Sequence, residues 1–262
     1  MNELPHLFSP NRSITRQTFL LLCVIQGLFA LLLWTFGTSP VVPKPLDIVK
    51  SLGELMRDKD FFADLATSTW LACQSVMITF VVSLVIVYAS VMPFFRPLAQ
   101  LVSKSRFLSL VGLSFVFTLA ISGGHNLKVS LLVFGMTVFY VTSLLDVLDS
   151  IPRYEFAHAR TLGLGEWGVV REVVVLGRLD QAFEILRQNF AIAWMMLTMV
   201  EGISRVEGGL GALLLNQNKH LRLDAVFAIQ VTIFVIGIAL DWLLSLMRRY
   251  FFPYSVLAKV VR

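Results

Sequence analysis

Four long apolar runs constrain this chain more than any other feature of its sequence. Each run is as long as the roughly 20 residues that a helix needs to cross the hydrocarbon layer of a bilayer. None contains more than one charged residue. Because lipid offers the backbone no hydrogen-bond partners, such runs predict an all-α, polytopic membrane protein. The runs are residues 18–36, 70–95, 129–148 and 225–247.

Two weaker apolar segments raise the predicted number of transmembrane helices to about six. Residues 107–121 are short for a span, and residues 190–200 cross only if their helix continues into charged flanks. Lysine and arginine accumulate in cytoplasmic loops. Six spans with the N-terminus inside place 14 of these residues in the cytoplasm and 8 outside, whereas four spans place 10 inside and 12 outside. The charge bias therefore favours six spans.

The six-span arrangement divides the chain into two tails and a membrane domain. Residues 1–17 form a cytoplasmic N-terminal tail, residues 18–247 the transmembrane domain and residues 248–262 a cytoplasmic C-terminal tail. The first run lacks an obvious cleavage site, so we interpret it as a retained span. Residues 43–57 have apolar positions at helical spacing, which fits either an amphipathic helix on the outer membrane surface or an ordered external loop with a short helix.

The chain lacks the sequence patterns of an enzyme, a metal centre or a nucleic-acid-binding protein. Its four histidines lie in predicted loops or the N-terminal tail, and no glycine-rich segment has the spacing of a phosphate-binding loop. The net charge of +5 comes from basic residues between apolar runs. Asp241 lies inside a strong run, and we favour a packing role, or pairing with Arg248 or Arg249, over a place in a transport path. We expect no catalysis, no cofactor and no metal.

The largest predicted cytoplasmic loop, residues 149–187, has the pattern of a helix-turn-helix. Residues 153–162 contain no Gly or Pro and favour a helix. Gly163 and Gly165 allow the chain to turn, and residues 166–176 favour a second helix. The loop is therefore expected to form a compact, L-shaped element between two spans.

This loop resembles the cytoplasmic signature of bacterial ABC importer permeases, which reads E-A-A, three residues, G, nine residues, I, two residues, L-P. With the glycine placed on Gly163, three positions agree, namely Ala159, Gly163 and Leu176, and Val173 is a conservative match. The Glu, the first Ala and the Pro are absent. From about residue 34 onward, the order of features is similar to the nitrate/sulfonate/taurine/bicarbonate branch of these permeases. The segments that carry this similarity include DLATSTW (64–70), LAISGGHNLKVSLLVFG (119–135) and AIAWMMLTMVEGI (191–203).

The resemblance implies a permease subunit of an ATP-driven importer, embedded in the lipid of the bacterial inner membrane. Its implied partners are ABC ATPase subunits that bind the ATP, a second permease that is either another copy or a paralogue, and an extracytoplasmic substrate-binding protein. The loop would couple to the ATPase through Ala157, His158, Ala159, Arg160, Thr161, Leu162, Gly163 and Gly165.

The same resemblance places a translocation path along the fifth span and a re-entrant turn over residues 208–216. Ordinary helix packing is the alternative for each path residue. Two other functions stay open, a permease-like accessory subunit that does not transport and, less favoured, a secondary transporter. The expected path residues are Trp194, Met195, Met199, Glu201, Gly209 and Gly211.

Overall fold

The computed structural model describes residues 15–37, 42–204 and 208–253, which form helices and, within these ranges, no strand. The predicted all-α class is confirmed. Almost all of the predicted N-terminal tail and most of the predicted C-terminal tail lie outside the described residues. The helices are α1 (Arg16–Phe36), α2 (Pro45–Leu55), α3 (Lys59–Ala89), α4 (Arg96–Lys104), α5 (Leu110–Ala120), α6 (Gly124–Asp149), α7 (Arg153–Thr161), α8 (Glu166–Val169), α9 (Leu179–Ile203), α10 (Leu210–Lys219) and α11 (Leu223–Phe251), with a 3-10 turn at Ser105–Phe107 and a π-helix at Val170–Leu176.

Four of the described helices are long and apolar enough to cross a membrane, namely α1, α3, α6 and α11. Each contains most or all of one of the four strong apolar runs, so the chain is a membrane protein. The bent pair of α4 and α5 raises the number to five if the pair counts as one span. By length and composition, the described helices give four or five candidate spans, and the predicted number of about six stays a prediction.

The two weaker segments differ from simple spans for different reasons. Residues 107–121 do not form one straight helix, because the chain bends by 114° between Arg96–Phe107 and Leu110–Ala120. The 11 residues of α5 extend about 16 Å, roughly half of a hydrocarbon layer. In contrast, α9 continues into the charged flank and has 25 residues, about 37 Å. Polar residues near its start lower its hydropathy relative to the four candidate spans.

The core of the described chain is built around α6, on which α3 and α9 pack most extensively. Leu131, Tyr140 and Val141 of α6 are completely buried. The Tyr140 hydroxyl donates a 2.6 Å hydrogen bond to the carbonyl of Ala182, which fixes α6 to the first turns of α9. The middle of the chain thus supplies the scaffold on which its later helices are placed.

A stripe of small residues lets α3 approach its neighbours closely. Ser68, Ala72, Ser75, Thr79 and Ser83 recur at helical spacing along α3, and all five are buried. Small side chains at such spacing allow helix backbones to approach closely. In a membrane this close packing drives helix association, because lipid is as apolar as the side chains and the hydrophobic effect does not bring helices together. The stripe explains how a helix of 31 residues packs tightly with few large side chains.

The structure decides two further predictions, one on residues 43–57 and one on Asp241. The segment predicted over 43–57 contains the helix α2, whose residues Ile48 and Ser51 are buried and which packs against α11. The Ser51 hydroxyl donates to the carboxylate of Asp224, so α2 is fixed to the start of α11. The prediction that Asp241 pairs with Arg248 or Arg249 is wrong. Its carboxylate lies 2.6 Å from Nη1 of Arg187 on α9.

Candidate functional site

Residues 153–176, which we call the knob, form the predicted helix-turn-helix between α6 and α9. Helix α7 follows Pro152 and ends at Thr161, whose hydroxyl donates to the carbonyl of His158. Gly163 has a φ of +82°, a left-handed conformation that only glycine adopts without strain, and it reverses the chain. The predicted turn is therefore observed. The second helix begins as α-helix at Glu166 but continues as π-helix, a difference from the prediction.

An ion pair closes the turn of the knob. The Nε and Nη2 atoms of Arg160 lie 2.8 and 3.0 Å from the two carboxylate oxygens of Glu166. The hydrogen bond from Arg160 and its positive charge hold the pKa of the Glu166 carboxyl below its usual range. Both side chains are exposed, so solvent limits the stabilisation, but the two parallel hydrogen bonds fix the orientation of α7 relative to α8.

The predicted coupling residues fall into two groups. Ala159 is only 6% exposed. The exposed residues are Ala157, His158, Arg160, Thr161, Leu162, Gly163 and Gly165.

Large apolar side chains of the knob are also exposed. Tyr154, Leu162 and Trp167 each present more than half of their surface, although they lie outside the four candidate spans. Tyr154 and Trp167 were not among the predicted site residues. The available signal was an aromatic residue directly after a charged one in each helix of the predicted loop, namely Tyr154 after Arg153 and Trp167 after Glu166.

A groove of about 890 Å³ lies between α7 and the π-helix. Its open shape and apolar walls give the knob a concave face beside its exposed aromatic residues. Residues on both sides of the turn contribute to it, so the groove depends on the fold of the knob. Residues that line it include Tyr154, His158, Ala159, Leu164, Glu172 and Val173.

The π-helix, which is the last part of the knob, leads into α9 and contacts the ends of α3 and α6. The amide of Gly177 donates to the carbonyl of Glu172, five residues earlier, with a distance of 2.9 Å. A β-carbon at position 177 would lie 2.7 Å from the carbonyl oxygen of Val173, so the close turn requires glycine. Val174 is buried beside Val87 of α3 and Leu148 of α6, which anchors the knob to the helix core.

The expected path residues on α9 face opposite directions. Trp194 is buried, stacks on Phe190 with ring centroids 6.0 Å apart, and donates a 2.8 Å hydrogen bond from Nε1 to the carbonyl of Ile233. Trp194 therefore packs α9 against α11. Met195 is 68% exposed and Met199 is also exposed, on a face of α9 that no described helix covers. This exposed stripe consists of Gln188, Ala191, Met195, Met199 and Ile203.

The other three expected path residues lie together at the end of α9. Glu201 is fully buried, and its Oε2 accepts a 2.8 Å hydrogen bond from the amide of Gly211. Its Oε1 lies 2.6 Å from the donating hydroxyl of Ser68 on α3. Gly209 adopts a φ of +109°, and a β-carbon there would collide with the Glu201 carboxylate. Gly209 and Gly211 thus lie directly against this carboxylate.

Two charged residues that were not among the predicted site residues complete this cluster. Asp64 of α3 accepts a 2.8 Å hydrogen bond from the amide of Gly209 through Oδ1. Lys128 of α6 is buried, and its Nζ donates to the carbonyl of Gly208 at 3.1 Å. We call Asp64, Ser68, Lys128 and Glu201 the connector cluster. Its members come from three long helices that are far apart in the sequence. The available signal was therefore a charged residue near the end of each apolar run.

One of three comparisons with known proteins found a similar fold. No known family profile matches the sequence. No curated protein matches it either. Among solved structures, the chain is similar to one described as "Crystal structure of an amino acid ABC transporter with histidines", with a TM-score of 0.63 and 17% sequence identity. The likeness covers 78% of this chain and 97% of the other. At that identity, the likeness shows a shared fold.

Proposed function

We propose that this chain is the membrane-spanning permease subunit of an ATP-driven ABC importer. The observation that carries the proposal is the fold shared with nearly the whole length of a chain from an amino acid ABC transporter. The resemblance of residues 119–135 and 191–203 to the nitrate/sulfonate/taurine/bicarbonate branch supports the same class and favours that branch. The chain itself carries no ATP-hydrolysing site in this proposal, and a partner ATPase supplies the energy.

The knob is the proposed attachment point for the ATPase. Tyr154, Leu162 and Trp167 expose apolar surface outside the candidate spans, and such patches mark protein interaction sites. The Arg160–Glu166 ion pair and the Gly163 turn hold this surface in one shape. Aromatic residues held in place lose little conformational entropy on binding, which makes them effective anchors.

The exposed stripe of α9 is the proposed wall of the translocation path. Met195 and Met199 lie on it, and a second permease, either another copy or a paralogue, would face it. The connector cluster holds the outer end of this wall in place, where an extracytoplasmic binding protein would deliver the substrate. In this arrangement α9 and the bent α4–α5 pair complete six spans in the bacterial inner membrane.

An accessory subunit that does not transport is the second candidate. The signature of the importer permeases is incomplete at three positions, where Ala157, His158 and Gly177 stand in place of Glu, Ala and Pro. A knob that still binds an ATPase without passing on its movement would fit these replacements. The two candidates differ in uptake rather than in assembly.

Co-expression with a candidate ABC ATPase and binding protein, followed by purification in detergent, tests the proposal. We expect the ATPase to copurify and reconstituted vesicles to take up substrate only with ATP. Leu162→Asp and Trp167→Asp should each reduce ATPase copurification about tenfold or more, because each removes an apolar anchor. Arg171→Gln, on the exposed side of the knob, is the control and should leave copurification unchanged.

Three results would contradict the proposal in different ways. ATPase copurification without ATP-driven uptake would favour the accessory subunit. Uptake driven by an ion gradient alone would indicate a secondary transporter. Equal copurification of the wild-type chain and both aspartate variants would mean that the knob is not the attachment point.

A further inference from the structure

We infer that the ion pair between Glu155 and Arg178 is a positioning device that fixes the knob to α9, so that both move as one body. The inference rests on the proposed function for its consequence in transport. Its structural content, the fixed orientation of the knob, is independent of that function.

The two residues lie at the points where the knob meets α9. Glu155 is in the first turn of α7, and Arg178 directly precedes α9. Nη2 of Arg178 lies 2.7 Å from each carboxylate oxygen of Glu155. The pair thus connects two elements that are 23 residues apart in the chain through a single charge-assisted contact.

Burial distinguishes this pair from the other ion pairs of the knob. The side chains of Arg178 and Glu155 are 23% and 31% exposed, compared with 53% and 74% for Arg160 and Glu166. Charges that are partly removed from water are screened less by solvent and salt. The Glu155–Arg178 contact therefore holds its geometry more strongly than the exposed pair that closes the turn.

The covalent route between the same two points is poorly suited to transmit movement. It passes through the Gly163 turn, the single turn of α8 and seven residues of π-helix before it reaches Gly177. π-Helices are rare and occur mostly as short bulges inside α-helices, frequently at functional sites. A push on α7 that travelled along this route alone would have to pass through three successive changes of backbone geometry. The ion pair bypasses the whole segment.

Beyond Arg178, α9 is tied to α11 by further charges. Arg187 contacts Asp241 at 2.6 Å, and Arg248 contacts Glu184 at 2.7 Å. Movement that reaches α9 through Arg178 is therefore shared with α11. Ionic contacts thus join α7 to the residue before α9, and α9 to α11.

Pulsed electron spin resonance on the full chain tests the positioning role directly. Spin labels at Arg153→Cys on α7 and Gln188→Cys on α9, with Cys23 and Cys73 replaced by serine, report the distance between the knob and α9. We expect one narrow distance distribution with the native pair and a distribution at least about twice as wide in Glu155→Gln and in Arg178→Gln. The charge swap Glu155→Arg with Arg178→Glu should narrow it again, and Arg178→Lys should keep it narrow, because one nitrogen makes both contacts.

The reconstituted transporter tests the consequence. With the native cysteines and no labels, Glu155→Gln and Arg178→Gln should leave ATPase copurification intact. Substrate uptake per ATP hydrolysed should fall about three- to tenfold, the range for a partly buried ion pair. Arg171→Gln breaks an exposed contact of the knob and should leave this ratio unchanged.

Distance distributions that stay equally narrow in both single variants would overturn the inference, whatever the transport result. Wide distributions with an unchanged uptake-to-hydrolysis ratio would overturn its transport consequence. If the wild-type chain showed no ATP-driven uptake, the proposed function would fail, and the distance measurement would still decide whether the pair fixes the knob.

Discussion

The carboxylate of Glu201 and the hydroxyl of Ser68 lie 2.6 Å apart, although 133 residues separate them in the chain. The same hydroxyl accepts a 2.8 Å hydrogen bond from the amide of Leu210, in the first turn of α10. Backbone amides at the start of a helix have no partners within the helix. At α10 the side chains of α3 and α9 provide them, so the position of α10 depends on contacts with two other helices.

Replacement of Glu201 by glutamine should destabilise the protein. A glutamine side chain can accept from only one of its two donors, Ser68 or the amide of Gly211, because its NH₂ group is itself a donor. We expect a loss of about 1–3 kcal/mol, the cost of leaving one buried polar group unpaired. Thermal unfolding in detergent measures it. Glu54→Gln, at an exposed position, is the control, and equal melting temperatures for both variants would contradict the structural role.

Gly211→Ala should also be destabilising. A β-carbon there would lie 2.7 Å from the Cα and 2.9 Å from the carbonyl carbon of Thr198, and backbone atoms cannot rotate away. The expected loss is about 1–3 kcal/mol, as for other forced overpacking. In Gly53→Ala, nothing lies within 4 Å of the new atom. That variant should be neutral or more stable by up to about 1 kcal/mol, because alanine favours helix. Chemical denaturation compares the two.

Gly163→Ala and Gly165→Ala distinguish backbone strain from steric crowding in the knob. A β-carbon meets nothing within 4 Å at either position, but Gly163 has a φ of +82° and Gly165 a φ of −67°. Alanine at 163 should therefore cost about 1–2 kcal/mol of left-handed strain. Alanine at 165 should change stability by less than about 0.5 kcal/mol. Protease cleavage within the knob should increase only in Gly163→Ala, and equal rates would argue against strain at the turn.

Trp194→Phe distinguishes packing from a place in the path. Phenylalanine keeps an aromatic ring beside Phe190 but loses the hydrogen bond to the carbonyl of Ile233. We expect a stability loss of about 1–3 kcal/mol from the lost hydrogen bond and the smaller ring. Met195→Leu, on the exposed face, should leave stability unchanged. Substrate affinity that changed in Trp194→Phe at constant stability would instead favour a path role.

Local sequence signals predicted the parts of the fold that depend on local physics. Hydropathy identified all four candidate spans, because a helix in lipid must be apolar along its whole length. Glycine at 163, after a segment free of Gly and Pro, predicted the turn of the knob. The bend between α4 and α5 was missed because residues 107–121 are mostly apolar and contain no charge. No proline marks the break, and the packing of both helices on α6 determines where it falls.

Contacts between distant residues explain the other differences. Asp241 pairs with Arg187 rather than with the arginines that follow it on α11, because the position of α9 decides which charge it meets. Lys128 and Asp64 contact the backbone at Gly208 and Gly209, and backbone acceptors and donors leave no mark in a sequence. The π-helix could not be predicted either. Residues 166–176 favour a helix, but they do not specify whether its hydrogen bonds span four or five residues.

The contacts of the connector cluster can form only late in the synthesis of the chain. Asp64 is made 145 residues before Gly209, its hydrogen-bond partner. At typical translation rates of about 5–20 residues per second, that interval is roughly 7–29 s. During this time the partners of Asp64 and Ser68 at residues 209 and 210 do not yet exist, and Lys128 is made 80 residues before its own partner, Gly208. These contacts can form only after the start of α10 has been made, so a chain arrested within α9 keeps three polar side chains of α3 and α6 without the backbone partners that they have in the finished fold.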